Sequence, residues 1–259
     1  MKKALKIKDF IDYLNQLYPT SNAEIWDPTG YALRTVQSKK FKGAVLAIDV
    51  TEEVVQSAID NDCNVILTHH PFRFEADWKS ENAKAPYKRP LYDFLRQKQI
   101  TVYSMHTNYD CDSQGTSYQI ANFMNLAEKV DLNSPKFSVV LNADLTVSEL
   151  SDNLKQNLLL QHFRTNVEDL NQKFHKVAIL SGSGYIGQIV EMSKDIDLFI
   201  SSDFRWSDWI TFKESKINIL EIPHLDEQVF AWHMHSVLQE NLPEYKFVVQ
   251  NISVPYKNI

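Results

Sequence analysis

The sequence predicts an α/β fold of two similar lobes, each a mostly parallel sheet flanked by helices. Three observations support this. Short β-rich runs alternate with helical patterns almost to the end of the 259 residues. A strand-helix-strand unit spans residues 43–68, a length that fits a parallel crossover and not a hairpin. The plan of that unit returns at residues 177–203, where Asp197-Leu198-Phe199-Ile200-Ser201 matches Asn64-Val65-Ile66-Leu67-Thr68.

The elements follow in order. Ile7, Phe10, Ile11 and Leu14 fall three or four apart and share one face of an opening helix. Gly43 to Ile48 reads as a strand, Thr51 as the cap of a helix beginning Glu52-Glu53-Val54-Val55, and Asn64 to Thr68 as the second strand. A polar, Lys-rich loop from Phe74 to Pro86 precedes a helix around Leu91 to Gln97, and a third strand, Ile100 to Met105, runs into His106. The segment Leu126 to Lys136 is polar and aperiodic, which sets lobes at residues 1–128 and 129–259. Phe137 to Leu141 is a strand. Thr146-Val147-Ser148-Glu149 is a capping box opening a helix through Leu160. Then come a strand at Val177 to Leu180, a glycine-bearing turn, a helix near Ile186 to Met192, a strand ending at Asp203, and a last β-rich run, Ile217 to Ile222.

Composition excludes several classes. No stretch approaches the roughly 20 apolar residues of a membrane span. The charge of Met1-Lys2-Lys3 suits a signal peptide, but Lys6, Lys8, Asp9 and Asp12 interrupt its required apolar core, so a cytoplasmic protein is expected. The two cysteines, Cys63 and Cys111, have neither zinc-knuckle nor disulfide spacing and suit a reducing compartment. A net charge of -6 gives no general attraction to nucleic acid. Trp26, Trp206, Trp209 and Trp232 are expected mostly in the core.

The chemistry concentrates in histidines at strand ends. The apolar run Asn64-Val65-Ile66-Leu67 stops at Thr68-His69-His70-Pro71, where α/β sheets place their sites. Alone, such a pair is equally an ordinary loop pair, because it lacks the ligand count of a metal site. The third strand, however, ends in His106-Thr107-Asn108-Tyr109-Asp110, and the last β-rich run breaks at Pro223 into His224-Leu225-Asp226-Glu227. If strands two and three are parallel neighbours, their ends lie about 5 Å apart, so His69, His70, His106 and Asp110 line one crevice. On a helical turn His224 and Glu227 face the same way, as chelation or carboxylate bridging requires. Four histidines and two carboxylates exceed the three to four ligands of one zinc. Two divalent ions and hydrolytic chemistry are therefore expected. Zinc, iron, manganese, cobalt and nickel all accept mixed imidazole and carboxylate ligation. His162, His175, His233 and His235 lack carboxylates at ligand spacing and read as structural or solvated.

The Ile66-Leu67-Thr68-His69-His70-Pro71 strand end, the Tyr103 to Asp110 segment and the late His224-x-x-Glu227 resemble the GTP cyclohydrolase I type 2 homologues, also called the NIF-three-like family. The likeness runs in the same order over nearly the whole chain and includes the Gly182-Ser183-Gly184 turn. It implies a dinuclear metal site in the crevice between the lobes and a ring-shaped homohexamer. It also implies His69, His70, Asp110, His224 and Glu227 as ligands, with Glu227 bridging, and His106 beside them as a further ligand or proton-transfer group. The implied substrate is a small molecule, specifically GTP, opened at C8 of guanine with release of formate, with hydrolysis of another nucleotide or phosphoester as the alternative. Two departures stand out. The family's Asp-Asn-x-Gly is here Asp27-Pro28-Thr29-Gly30, and the histidine usual in the second lobe is missing from Asp203 to Asp208. Some relatives place the late glutamate one residue further on, where this chain has Gln228, and Asp226 is a lesser candidate.

Two rival readings remain. Gly182-Ser183-Gly184-Tyr185-Ile186-Gly187 satisfies GxGxxG, with Asp203 as a ribose partner, which suits a nucleotide-binding oxidoreductase, against a plain tight turn. The other is an assembly or interaction protein whose metals serve structure.

Overall fold

The computed structural model describes residues 4–258, so Met1 to Lys3 lie outside the described residues. In chain order the helices and strands are α1 (Ile7–Leu17), β1 (Gly30–Leu33), β2 (Gly43–Ala47), α2 (Glu52–Asp60), β3 (Val65–Thr68), α3 (Trp78–Lys84), α4 (Lys88–Lys98), β4 (Thr101–Ser104), α5 (Thr107–Asp110), α6 (Thr116–Phe123), β5 (Val139–Leu145), α7 (Val147–Asn157), β6 (Arg164–Thr165), β7 (Phe174–Ile179), α8 (Ile186–Met192), β8 (Leu198–Ser201), α9 (Trp206–Glu214), β9 (Ile219–Glu221), α10 (Val229–Asn241) and β10 (Lys246–Val249). Among the described residues they form two five-stranded sheets. No described helix is long and apolar enough to cross a membrane.

The chain divides into two compact units, the first running to Cys111 and including Phe230–Ser253, the second formed by Asp112–Val229 with the residues from Val254 on. This departs from the expected division at 128/129. The reason is β10, which pairs in parallel with β2 and so completes the first sheet. No strand was expected after Ile222, and the pairing with β2 reveals where Lys246–Val249 belong.

The first sheet has the order β1-β4-β3-β2-β10, parallel except for the edge strand β1. Strands buried on both faces read as unbroken apolar runs, and successive side chains point to opposite faces. In β3, Val65 and Leu67 join α1's Ile7, Phe10 and Leu14 in one core. Ile66 faces the other way, onto Val54 and Val55 of α2 and Leu91 and Leu95 of α4. The Thr51 hydroxyl accepts the Val54 N–H at 3.3 Å, as expected of a cap. The polar stretch 74–86 is not all loop. Asp77 accepts the Lys79 and Ser80 amides and starts α3, which carries the buried Glu81. Composition had hidden that helix, because its stabilising groups are polar.

The second sheet has the order β5-β7-β8-β9-β6. Its centre, β7-β8-β9, is parallel, while β5 and β6 run antiparallel at the edges, so this sheet is mixed where a mostly parallel one was expected. The repeat read from the sequence is structural: β7-α8-β8 is a parallel crossover like β2-α2-β3. Ala178, Phe199, Ile219, Ile189 and Phe212 make its core, and the Thr146–Glu149 capping box is present. Trp26 and Trp206 depart from the expectation of burial, being 64% and 81% exposed.

Candidate functional site

In the first unit the site grows from two adjacent strand ends. β3 and β4 pair in parallel with Thr68 opposite Ser104, so His69, His70 and His106 emerge side by side. The His69 and His70 amides donate to the Ala47 and Ile48 carbonyls, tying the pair to β2. One ring nitrogen of each of His69, His70 and His106 lies within 4.8 Å of the others. The Asp110 carboxylate, on α5, stands 3.5 Å from His69 Nε2. His69 is fully buried, with the Phe230 ring 5.2 Å from its own.

Each imidazole is oriented through Nδ1. His69 Nδ1 meets the Met105 carbonyl at 3.0 Å, His70 Nδ1 meets Asp49 at 3.0 Å, and His106 Nδ1 meets Asp27 at 3.2 Å. Oxygen partners at Nδ1 assign the ring proton to that nitrogen and the lone pair to Nε2, the arrangement metal-ligating histidines adopt. Asp27 also binds the Thr107 amide and hydroxyl, and Thr29 accepts the His106 amide at 3.3 Å. Burial opposes ionisation of Asp27, but the His106 imidazole beside it and the hydrogen bonds from Thr107 outweigh it and hold its carboxyl below the usual range. The Asp27-Pro28-Thr29-Gly30 departure thus has a task, fastening the His106 to Asp110 segment.

In the second unit three parallel strand ends again converge. Gly182 follows β7, Asp203 follows β8 and His224 follows β9. His224 to Gln228 form a 3-10 helix, in which residues three apart eclipse. That geometry explains HxxE: Glu227 lies 2.9 Å from His224 Nε2. His224 Nδ1 meets Asp203 at 2.7 Å. Burial disfavours a charged His224, but Glu227 and Asp203, with Asp226 behind them, reverse that and push its pKa up to about 12. Asp226 is fully buried, and burial together with Glu227 raises its carboxyl well above the usual range.

The glycine turn serves this cluster. Gly182 has φ +55°, and a Cβ there would stand 2.2 Å from Glu227 Oε1. Its amide donates to Asp226 at 3.1 Å, and the Gly184 amide donates to Ser201 at 2.9 Å. A dinucleotide turn needs its amides for pyrophosphate and its following acid for ribose. Here those amides serve neighbouring side chains, and Asp203 serves His224. The orienting residues Asp27, Asp49 and Asp203 escaped assignment as such from sequence, since each lies 21 or more positions from its histidine.

The fold and these residues define a class: an α/β protein whose strand ends carry imidazole and carboxylate groups able to hold divalent metal. The chain belongs to the Duf34/NIF3 (NGG1p interacting factor 3) family, whose profile matches residues 5–258. It is 33% identical over 250 residues to the GTP cyclohydrolase 1 type 2 homolog of Mycoplasmopsis pulmonis, covering 95% of this chain and 97% of that one. It is 27% identical to NGG1-interacting factor 3 of Saccharomyces cerevisiae over 82% of each. Among solved structures, a hypothetical protein of Staphylococcus aureus superposes with a TM-score of 0.83 at 24% identity, covering 99% of this chain and 100% of that one. A Bacillus cereus protein related to NIF3 gives 0.82 at 18%, covering all of both chains. These two likenesses speak for the fold alone.

Proposed function

We propose that the chain is a metal-dependent hydrolase taking two divalent ions through His69, His70, Asp110, His224 and Glu227, with His106 as its proton-transfer group. The observation that carries this reading is the shared Nδ1 rule. His69, His70 and His106 each have an oxygen partner at Nδ1, two of them carboxylates, which prepares Nε2 as the basic atom, while His224 has Asp203 at Nδ1 and Glu227 at Nε2. Divalent ions bound there supply Lewis acidity and lower the pKa of water toward neutrality. Asp27 holds His106 in one orientation, so its Nε2 can take or return a proton at a fixed place. Phe230 and Tyr109 pack around His69 and exclude water from its inner side.

The finer form of the reading takes GTP from the name of the relatives, GTP cyclohydrolase 1 type 2 homolog, and adds, as its own expectation, ring opening at C8 with formate as product. A cytoplasmic homohexamer completes the proposal, supported by family likeness. Elemental analysis of untagged protein beside a His69→Ala/His70→Ala variant tests the metals. About two ions per chain in the parent and loss in the variant are expected. Formate release from GTP by the loaded protein tests the reaction. Metal without turnover of any nucleotide would move the assignment to a metal-binding interaction protein.

A further inference from the structure

Two exposed aromatic rings meet the same imidazole. Trp26 and Phe74 each lie 5.8 Å from His106, ring to ring, at 79° and 84° to its plane. They are 64% and 45% exposed. Single exposed aromatics need no explanation, but these come from separate segments, and each segment is pinned by a carboxylate. Asp27, next to Trp26, is bound to Thr107 and His106, and the Glu24 amide donates to Thr107 Oγ1 at 2.9 Å. The Phe74 amide donates to the buried Glu81 at 3.0 Å, as does that of Glu75 at 2.9 Å. Rings held this firmly lose little conformational freedom on receiving a flat partner, while leaving them in water forfeits their burial. Of the nearby cations, Lys88 pairs with Glu81 at 2.6 Å and lies 6.0 Å from the centre of the Phe74 ring, and Arg73 lies over the Trp78 ring at 5.6 Å. The surface beside His106 therefore offers two rings to stack on, and the ammonium beside Phe74 is already neutralised by Glu81.

We propose that Trp26 and Phe74 form the ring-binding platform of the site, on which a planar heteroaromatic substrate stacks beside His106. This rests on the hydrolase reading and specifies its substrate class. The test is calorimetric titration of zinc-treated wild type, Trp26→Ala, Trp26→Phe and Phe74→Ala with guanosine and with ribose 5-phosphate. Zinc content, sedimentation and thermal unfolding are measured on the same samples. Base stacking removed by alanine typically reads as about 5-fold to 150-fold in affinity. Guanosine should bind wild type more tightly than ribose 5-phosphate. It should weaken at least about tenfold in Trp26→Ala and about fivefold in Phe74→Ala, and stay within about threefold in Trp26→Phe. Guanosine should also quench tryptophan fluorescence less in Trp26→Phe than in wild type. The platform is overturned if guanosine does not bind wild type, if Trp26→Ala binds it equally well, or if Trp26→Ala acts by changing the sedimenting species. Zinc retained while guanosine binding is absent sinks the platform and spares the metal reading. Zinc absent while guanosine still depends on Trp26 does the reverse.

Discussion

In the first unit, β3 and β4 end in three imidazoles with Asp27, Asp49 and Asp110 beside them. In the second, β7, β8 and β9 end in a glycine turn, Asp203 and a single imidazole surrounded by Asp203, Asp226 and Glu227. The scaffold is the same parallel crossover. What differs is the balance: the first cluster sets three imidazoles beside three carboxylates, the second a single imidazole among three. Duplicating a β-α-β unit thus supplies positions at strand ends, and the residue types there decide what chemistry each unit offers.

The largest break in that comparison is Glu227→Gln, which keeps an oxygen but removes the charge 2.9 Å from His224 Nε2. Metal affinity, read by competition with a chelator, should fall more than about 100-fold, beyond the usual loss on mutating an orienting partner. Unchanged affinity would remove Glu227 from the ligands. The same cluster predicts a pH signature. His224, with its pKa raised to about 12, carries a proton at neutral pH, and a metal must displace it. Metal uptake should release about one proton through His224 and weaken as pH falls, which calorimetry in buffers of different ionisation enthalpy detects. The His224→Ala variant should lose that proton release.

Next in size is Gly182→Ala. The left-handed backbone and the 2.2 Å approach to Glu227 leave no room for a methyl. Strain and displacement together should cost about 3 kcal/mol of stability, seen in urea unfolding, and should disturb metal binding. Gly184→Ala, whose added Cβ would stand 2.4 Å from the Ser201 hydroxyl, should leave Glu227 in place. Equal stability of Gly182→Ala and wild type would show that the turn does not seat the carboxylate.

These residues also show what a single sequence can reveal. The strand ends were legible because apolar runs stop abruptly at His69 and His106, and period and cap residues marked α1, α2 and α7. The spacing of His224 and Glu227 was legible as well, although it took a 3-10 turn, not an α-helical one, to eclipse them. Illegible were the contacts that cross the chain: β10 beside β2, Asp49 on His70, Asp203 on His224. Asp203 was noticed as a ribose partner because the GxGxxG pattern reads locally, whereas its bond to His224 depends on β8 and β9 being neighbours. Helix α3 was hidden for another reason. Its stabilisation comes from Asp77 and Glu81, polar groups that composition assigns to loops.

Orienting partners should give a smaller change than ligands, and they sharpen the comparison because each unit has one to test. Asp49→Asn in the first and Asp203→Asn in the second retain an oxygen near Nδ1 but lose the charge. Both should lower metal affinity about tenfold. The second should also bring the His224 pKa down from about 12, because a charged acceptor is lost. A titration of the imidazole carbon-bound protons by NMR in the metal-free proteins reads this directly, and an unmoved His224 in Asp203→Asn would show that Glu227 and Asp226 alone set its charge.

The smallest expected effect concerns the first unit only and touches no candidate ligand. Glu81 is 3% exposed, pairs with Lys88 at 2.6 Å and accepts the Phe74 and Glu75 amides. Burial opposes its ionisation, but Lys88 and those amides prevail and hold its carboxyl below the usual range. A carboxyl that is more acidic when folded binds fewer protons in the native state than in the unfolded one. Its contribution is complete above the ordinary carboxylate pKa and is lost as pH falls through the folded value. Glu81→Gln should therefore cost about 1 kcal/mol at pH 7 through its weakened charge-assisted bonds. The gap from wild type should narrow in urea unfolding as the pH is taken below 4.5. Since Glu81 holds the Phe74 backbone and reaches no histidine, metal affinity should stay at the wild-type level. A gap that persists unchanged into acid would mean that Glu81 acts by packing and not by charge.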